Sequence, residues 1–329
     1  MKSMRGFTLV ELAVALLIVG LLLAGALIPL SSQLELTNIA NTQRTMDEIK
    51  QALLGFVQVN GRLPCPARGQ TPDGTTDSVT WAPASFAAGA EQLDSTTNYR
   101  CYTVTGVLPW ATLGVPETDA WGRRFTYRVS AAFADFPPPT NLTPTIESRG
   151  VPAGGALGTT PQTYRSTPAS PADQSPTCPP PSTLPTTASF VLCSLGDIAV
   201  YNRDESTHAA MAQAAGVPAI VIAHGRNGYG AFKPDGQRII GTNDLNADGV
   251  PDQNVDEAAN VNGTTTIATT VGQGAAYLQY VYYNRVPAGV ASGCSDPTAG
   301  SPLCEFDDIV MWISQPLLAS RMVSAGKLP

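Results

Sequence analysis

The sequence predicts an α+β protein. A long N-terminal helix, hydrophobic in its first half, packs on a C-terminal antiparallel β-sheet head that carries a Pro-rich insertion. Three observations predict it. Phe7 to Leu30 is a 24-residue apolar run containing one charge, Glu11. The residues that follow keep apolar side chains at helical spacing as far as Val59. Beyond Gly61 the chain breaks into short apolar or alternating segments separated by Gly, Pro, Asn and Asp, the pattern of short strands and turns.

Composition narrows the function. The chain has 329 residues, 19 Lys+Arg against 26 Asp+Glu, and a formal net charge of −7. An acidic chain with so few basic residues is poorly equipped to neutralise phosphates, so no nucleic-acid partner is expected. Mean hydropathy near zero excludes a multi-spanning membrane protein, and 43% apolar residues suffice for a core.

The N-terminal run comes first. At 1.5 Å per residue it would be about 36 Å long, enough to cross a hydrocarbon layer of roughly 30 Å. Lys2 and Arg5 precede it, and the next charges are Glu35 and Arg44. The positive-inside rule places the first six residues in the cytoplasm and everything after Leu30 outside it. A cleaved secretory signal peptide is the alternative, with Ala24-Gly25-Ala26 as its small-x-small site. The run is longer than a signal peptide's apolar core, and Glu11 sits inside it. A carboxylate in lipid costs about 2–3 kcal/mol and usually has a partner.

Gly6-Phe7-Thr8-Leu9-Val10-Glu11-Leu12 resembles the prepilin signature of type IV pilins and type II secretion pseudopilins. A short basic leader ends in Gly, Phe opens an apolar helix, and Glu is its fifth residue. The resemblance implies a leader of residues 1–6, cleavage after Gly6 by prepilin peptidase and N-methylation at Phe7. It also implies that Glu11 pairs with the N-terminal amine of a neighbouring subunit. Physics agrees, because a buried carboxylate and a buried ammonium are tolerable only together.

The chain then divides into a membrane and assembly helix at 7–30 and an amphipathic half at 31–60. Ile39, Met46, Ile49, Leu53, Phe56 and Val57 form the apolar stripe of the second half, which needs a globular domain to lie on. Gly20, Gly25 and Pro29 are the positions where the helix would loosen or kink. Asn60-Gly61 is the stop signal.

The head spans 61–329. Asp119-Ala120-Trp121-Gly122 is a turn, and Phe125, Tyr127 and Val129 alternate as in a strand. The segment resembles the Asp-Pro-Trp-Gly turn of major pseudopilins, with Ala120 in place of proline, and Trp121 is expected as a core anchor. Residues 137–187 hold 13 of the 28 prolines and form the insertion. Further strands are expected at Phe190–Cys193, Asp197–Asn202, Ala219–Ala223, Tyr277–Tyr283 and Ile309–Ile313. Short helices are expected at Ser206–Ala215 and Gln315–Gly326. The turns between strands favour antiparallel pairing.

Six cysteines without a C-x-x-C pair, beside two histidines, fit a disulfide framework in an oxidising compartment better than zinc. Fifteen pairings are possible, and the sequential one is expected: Cys65–Cys101, Cys178–Cys193 and Cys294–Cys304.

Three segments invite a chemical reading. Asp244, Asn246, Asp248 and Asp252, with the Val250 carbonyl and Gly249 at the sharp turn, have the spacing of a calcium loop. The Glu expected at position 12 is absent, Val255 standing there, and Asp256 or Glu257 could substitute only with an altered loop, so the segment admits Ca2+ or a plain Asx-rich turn. Calcium near the β region also occurs in some pseudopilins. Ala223-His224-Gly225-Arg226-Asn227-Gly228-Tyr229-Gly230 has the glycines of a phosphate loop and follows an apolar strand, but no helix pattern or Lys-Ser/Thr accompanies it, so a tight hairpin turn is expected. No G-x-S-x-G supports a hydrolase. Asp307-Asp308 is expected as a polar step at a strand edge rather than an acid/base pair.

The expected protein is therefore not an enzyme. It is a structural, minor subunit of a type IV pilus or type II secretion pseudopilus. Its partners would be other pilin or pseudopilin subunits, the prepilin peptidase/N-methyltransferase, the inner-membrane assembly platform and membrane lipid. The alternatives are a tip adhesin or substrate-binding filament subunit, or a membrane-anchored periplasmic protein outside any filament.

Overall fold

The computed structural model describes residues 9–69, 87–94, 100–134, 188–190, 192, 196–204, 206–207, 209–239, 254–269, 276–285 and 306–328. The 137–187 insertion lies outside them, as do Gly6 and Phe7, the Asp244–Asp252 loop, and Cys178, Cys193, Cys294 and Cys304.

Helix α1 runs from Leu9 to Asn60. Gly61 ends it at φ 74°, with its N–H donating to the Val57 carbonyl at 2.8 Å. Only glycine adopts that left-handed conformation without strain. Then follow β1 (Leu93–Asp94), β2 (Arg100–Cys101), β3 (Thr105–Val107), α2 (Trp110–Leu113), β4 (Thr126–Val129) and α3 (Ala131–Ala134). The rest of the head comprises β5 (Ile198–Arg203), β6 (Ala210–Val217), β7 (Ala219–Ala223), α4 (Val255–Asn262), β8 (Thr264–Thr269), β9 (Ala276–Arg285), β10 (Ile309–Ile313) and α5 (Gln315–Ser324). Among the described residues no helix is long and apolar enough to cross a membrane. The side chains of 20–32, which include the C-terminal part of the expected span, are not among those described.

The head has three layers. One four-stranded antiparallel sheet has the order β10-β7-β4-β3. Its first face packs on helices: Met46, Ile49, Leu53, Leu54 and Val57 of α1, with Leu318 and Met322 of α5, meet Phe125, Tyr127, Val129 and Val221. Burying each large aliphatic side chain contributes about 1.5–3 kcal/mol. The opposite face carries Ile220, Ile222 and Val310 onto a second sheet, where Ile198, Val200 and Tyr282 complete a smaller core. The second sheet has the order β6-β5-β9-β8. Because β4 is covered on both faces, Thr126 and Arg128 are as buried as the residues they alternate with.

Four expectations need correction. Ser206–Ala215 is not a helix; Ala210–Val217 is strand β6, antiparallel to β5. Its alanines favour a helix locally, but the Asp204 carboxylate ties down the N–H and hydroxyl groups of Ser206 and Thr207 and turns the chain back onto β5. Pairing is not wholly antiparallel, since β5 and β9 run parallel. Residues 188–190 form an irregular buried segment rather than the start of a strand, with the Phe190 ring 4.7 Å from that of Phe133. Trp121 is half-exposed and stays outside the core, its indole Nε1 buried without a partner among the described residues. The expected strands over 198–202, 219–223, 277–283 and 309–313, and the C-terminal helix, are present.

Cys65 and Cys101 form the expected disulfide, buried just beyond the end of α1.

Candidate functional site

Among the described residues, a cluster of carboxylates lies where the turn after β7, the start of α4 and the entry to β10 meet. The turn is built by its glycines and by Arg123. Gly225 has φ 50°, and a Cβ there would stand 2.3 Å from the Asp307 carbonyl oxygen, so no larger residue fits. The Arg123 guanidinium donates to the carbonyls of Gly225 and Arg226, the latter at 2.6 Å. A turn was expected here. It is not a hairpin: the chain runs on to Phe232, which bridges Arg124 and Arg238.

Three carboxylates converge beneath the turn. Glu257, Asp307 and Asp308 each offer an oxygen within 4.8 Å of the others. Glu257 is delivered by the first turn of α4, where the Asn254 side chain caps the N–H groups of Asp256 and Glu257. It accepts from the Asp307 N–H at 2.7 Å and from Asn227 Nδ2 at 2.9 Å. Asp307 accepts from the Asn227 N–H at 2.8 Å through Oδ2, while its Oδ1 is buried without a partner among the described residues. Asp308 accepts from Asn260 Nδ2 at 2.9 Å and faces His224 Nδ1 at 3.3 Å.

Three anions this close in a poorly solvated site cannot all stay charged. Burial, and then the facing Asp308 and Asp307, push the Glu257 carboxyl up to about 10. Burial pushes Asp307 up to about 6, with Asp308 adding to the rise and the Asn227 N–H opposing it. Glu257 is therefore held protonated at neutral pH, unless a hard divalent cation bound by the cluster supplies the compensating charge. These three are the described residues that could hold a metal.

His224 joins the cluster to β4. With its Nδ1 proton directed at Asp308, its Nε2 accepts from the Thr126 hydroxyl at 2.8 Å. Thr126, His224 and Asp308 thus stand in the order of a hydroxyl–imidazole–carboxylate relay. The His224 and Asp308 side chains are 0% exposed and Thr126 is 5% exposed. A substrate cannot reach a buried hydroxyl, so the network braces the fold.

From the sequence, Asp307 and Asp308 stand together as an edge step, and Glu257 enters only as a substitute ligand of the calcium loop, not beside them. Nothing local signals its approach, since it lies 50 residues away in sequence from the backbone N–H it binds.

The other functional feature is the stem. Glu11 lies in the first turn of α1 amid Leu9, Val10, Leu12 and Val14, all more than half exposed. Leu16, Leu17, Ile18 and Val19 continue the same surface. A helix apolar all round needs lipid or other helices about it.

Residues 1–27 match the family model described as the prokaryotic N-terminal methylation motif. The chain carries the type IV pilin and pseudopilin signal. The matched range includes Gly6, Phe7 and Glu11. It suggests a membrane-anchored, pilin-type protein that assembles with other pilin subunits. Beyond the motif, neither a curated protein nor a solved structure matches the chain.

Proposed function

We propose that the protein is a minor structural subunit of a type IV pilus or type II secretion pseudopilus. The methylation motif at residues 1–27 carries this reading. Prepilin peptidase removes residues 1–6, Phe7 is N-methylated, and Glu11 pairs with the N-terminus of a neighbouring subunit. The pairing neutralises two charges in an apolar setting and fixes the axial register between subunits. The helix 7–30 holds the subunit in the inner membrane until the assembly platform extracts it, and the head stays periplasmic or reaches the cell surface. The mechanism is assembly, not turnover. A head of this size favours a minor over a major role.

Mass spectrometry of the mature N-terminus tests the reading. A methylated chain beginning at Phe7 is expected; an unmethylated start at Leu27 would restore the signal-peptide reading. Calcium at Asp244, Asn246, Asp248, Val250 and Asp252 is a separate proposal. Isothermal titration of the full chain in detergent tests it, and the absence of heat with millimolar calcium sinks it.

A further inference from the structure

The second sheet ends in two strands with little to guard them. β6 forms one edge and β8 the other. Sheet edges are commonly blunted by lysine, proline or an inward charge, because an open row of N–H and C=O groups templates another strand. Ala210–Val217 and Thr264–Thr269 contain no charged residue and no proline. Residues 210–213 of β6 are exposed whichever face they point to. Its register shifts lie between Ala212 and Val217, so Ala210, Met211 and Ala212 pair regularly with Arg203, Asn202 and Tyr201. β8 pairs with β9 without a register break. Among the described residues, neither strand has a partner on its outer side.

Strand direction says what fits there. β6 is antiparallel to β5, β5 is parallel to β9, and β9 is antiparallel to β8. β6 and β8 therefore run the same way, at opposite ends of one sheet. A second copy in the same orientation presents its β8 edge parallel to β6. Such a head-to-tail contact repeats without closing, as a polar filament requires, whereas a two-fold β6–β6 contact would close and stop.

The geometry points to β6 and β8 as the two halves of one interface, through which the sheet of one head continues into that of the next copy. This inference rests on the filament-subunit reading. A single strand pair buries less than the roughly 1,000 Å² of a stable free interface. It becomes effective once the stems hold copies at high local concentration.

The test uses the full chain in bacterial membranes with a photo-crosslinking amino acid at Met211, and separately at Thr264. The expected product from Met211 is a covalent dimer whose partner peptide contains 264–269. From Thr264 the partner peptide contains 210–217. With the probe at Thr264, the paired change M211K/Q213K, at two exposed positions, lowers the yield about fivefold. Unchanged protease resistance of the head confirms that the variant is folded. A β6–β6 crosslink, a crosslink only to another protein, or no crosslink in a chain with a methylated Phe7 start would overturn the inference. An unprocessed N-terminus would instead overturn the filament reading.

Discussion

Arg128 Nη2 donates to Asp197 Oδ2 at 2.9 Å across the boundary between the two sheets, and both side chains are buried. The same guanidinium lies 3.4 Å from the ring centroid of Tyr280, on β9. Asp197 also accepts from the Ser130 hydroxyl at 2.6 Å. One strand of the first sheet is thereby fixed against two elements of the second.

Removing one partner strands the other's charge in the interior. Arg128→Met or Asp197→Asn should each cost about 3–5 kcal/mol. The double variant should cost clearly less than the two singles added together. Chemical denaturation of the purified protein in detergent measures all three. Additive losses would show that the two groups do not act as a pair.

The carboxylate cluster gives a pH dependence with a defined sign. Glu257 and Asp307 are both held above their ordinary values of 4.5 and 3.8. The folded chain therefore binds more protons than the unfolded chain across that window. The stabilisation is complete below pH about 4 and is lost as pH rises, through about 6 for Asp307 and about 10 for Glu257. In chelator, Tm should be higher at pH 5 than at pH 8, and Glu257→Gln should flatten the profile above pH 6. A wild-type Tm that rises over this interval would contradict the assignment.

The disulfide closes a loop with a sequence separation of 36. Restricting an unfolded chain over that length is worth about 4 kcal/mol. The C65S/C101S variant should lose most of that, and reductant should destabilise the wild type by at least as much. Both are read as shifts in denaturant midpoint.

Glu11→Val should leave the cleavage site after Gly6 functional, since the leader and Phe7 are unchanged. It should sharply lower incorporation into filaments, because the neighbouring N-terminal amine loses its counter-charge. Immunoblots of sheared filaments against whole cells measure the ratio. Normal incorporation would count against the pairing.

What the sequence revealed followed the range of the interactions involved. The N-terminal motif and the stop at Gly61 are encoded by neighbours along the chain and were read directly. β7 and β10 announce themselves as short apolar runs because both have covered faces. β6 was misread because alanine spacing carries a helix preference, while the pairing that overrides it comes from β5. The Glu257, Asp307 and Asp308 cluster was illegible beyond its adjacent pair: α4 brings the third carboxylate across the fold, and no spacing in the chain encodes that approach. His224 reads from the sequence only as part of a tight hairpin turn, because its partners, Thr126 and Asp308, are likewise distant in sequence.

The way α1 joins the head has a mechanical consequence. Ile49, Leu53 and Val57 lie flat in the main core, Gly61 ends the helix, and Cys65 is bonded to Cys101 four residues later. Tension applied along the stem would load that stripe in shear, many side chains at once, rather than peel strands away one by one. Whatever force passes the helix end meets a covalent crosslink before it reaches the sheets. The head is thus attached as a rod is keyed into a socket, with the strongest bond placed at the mouth.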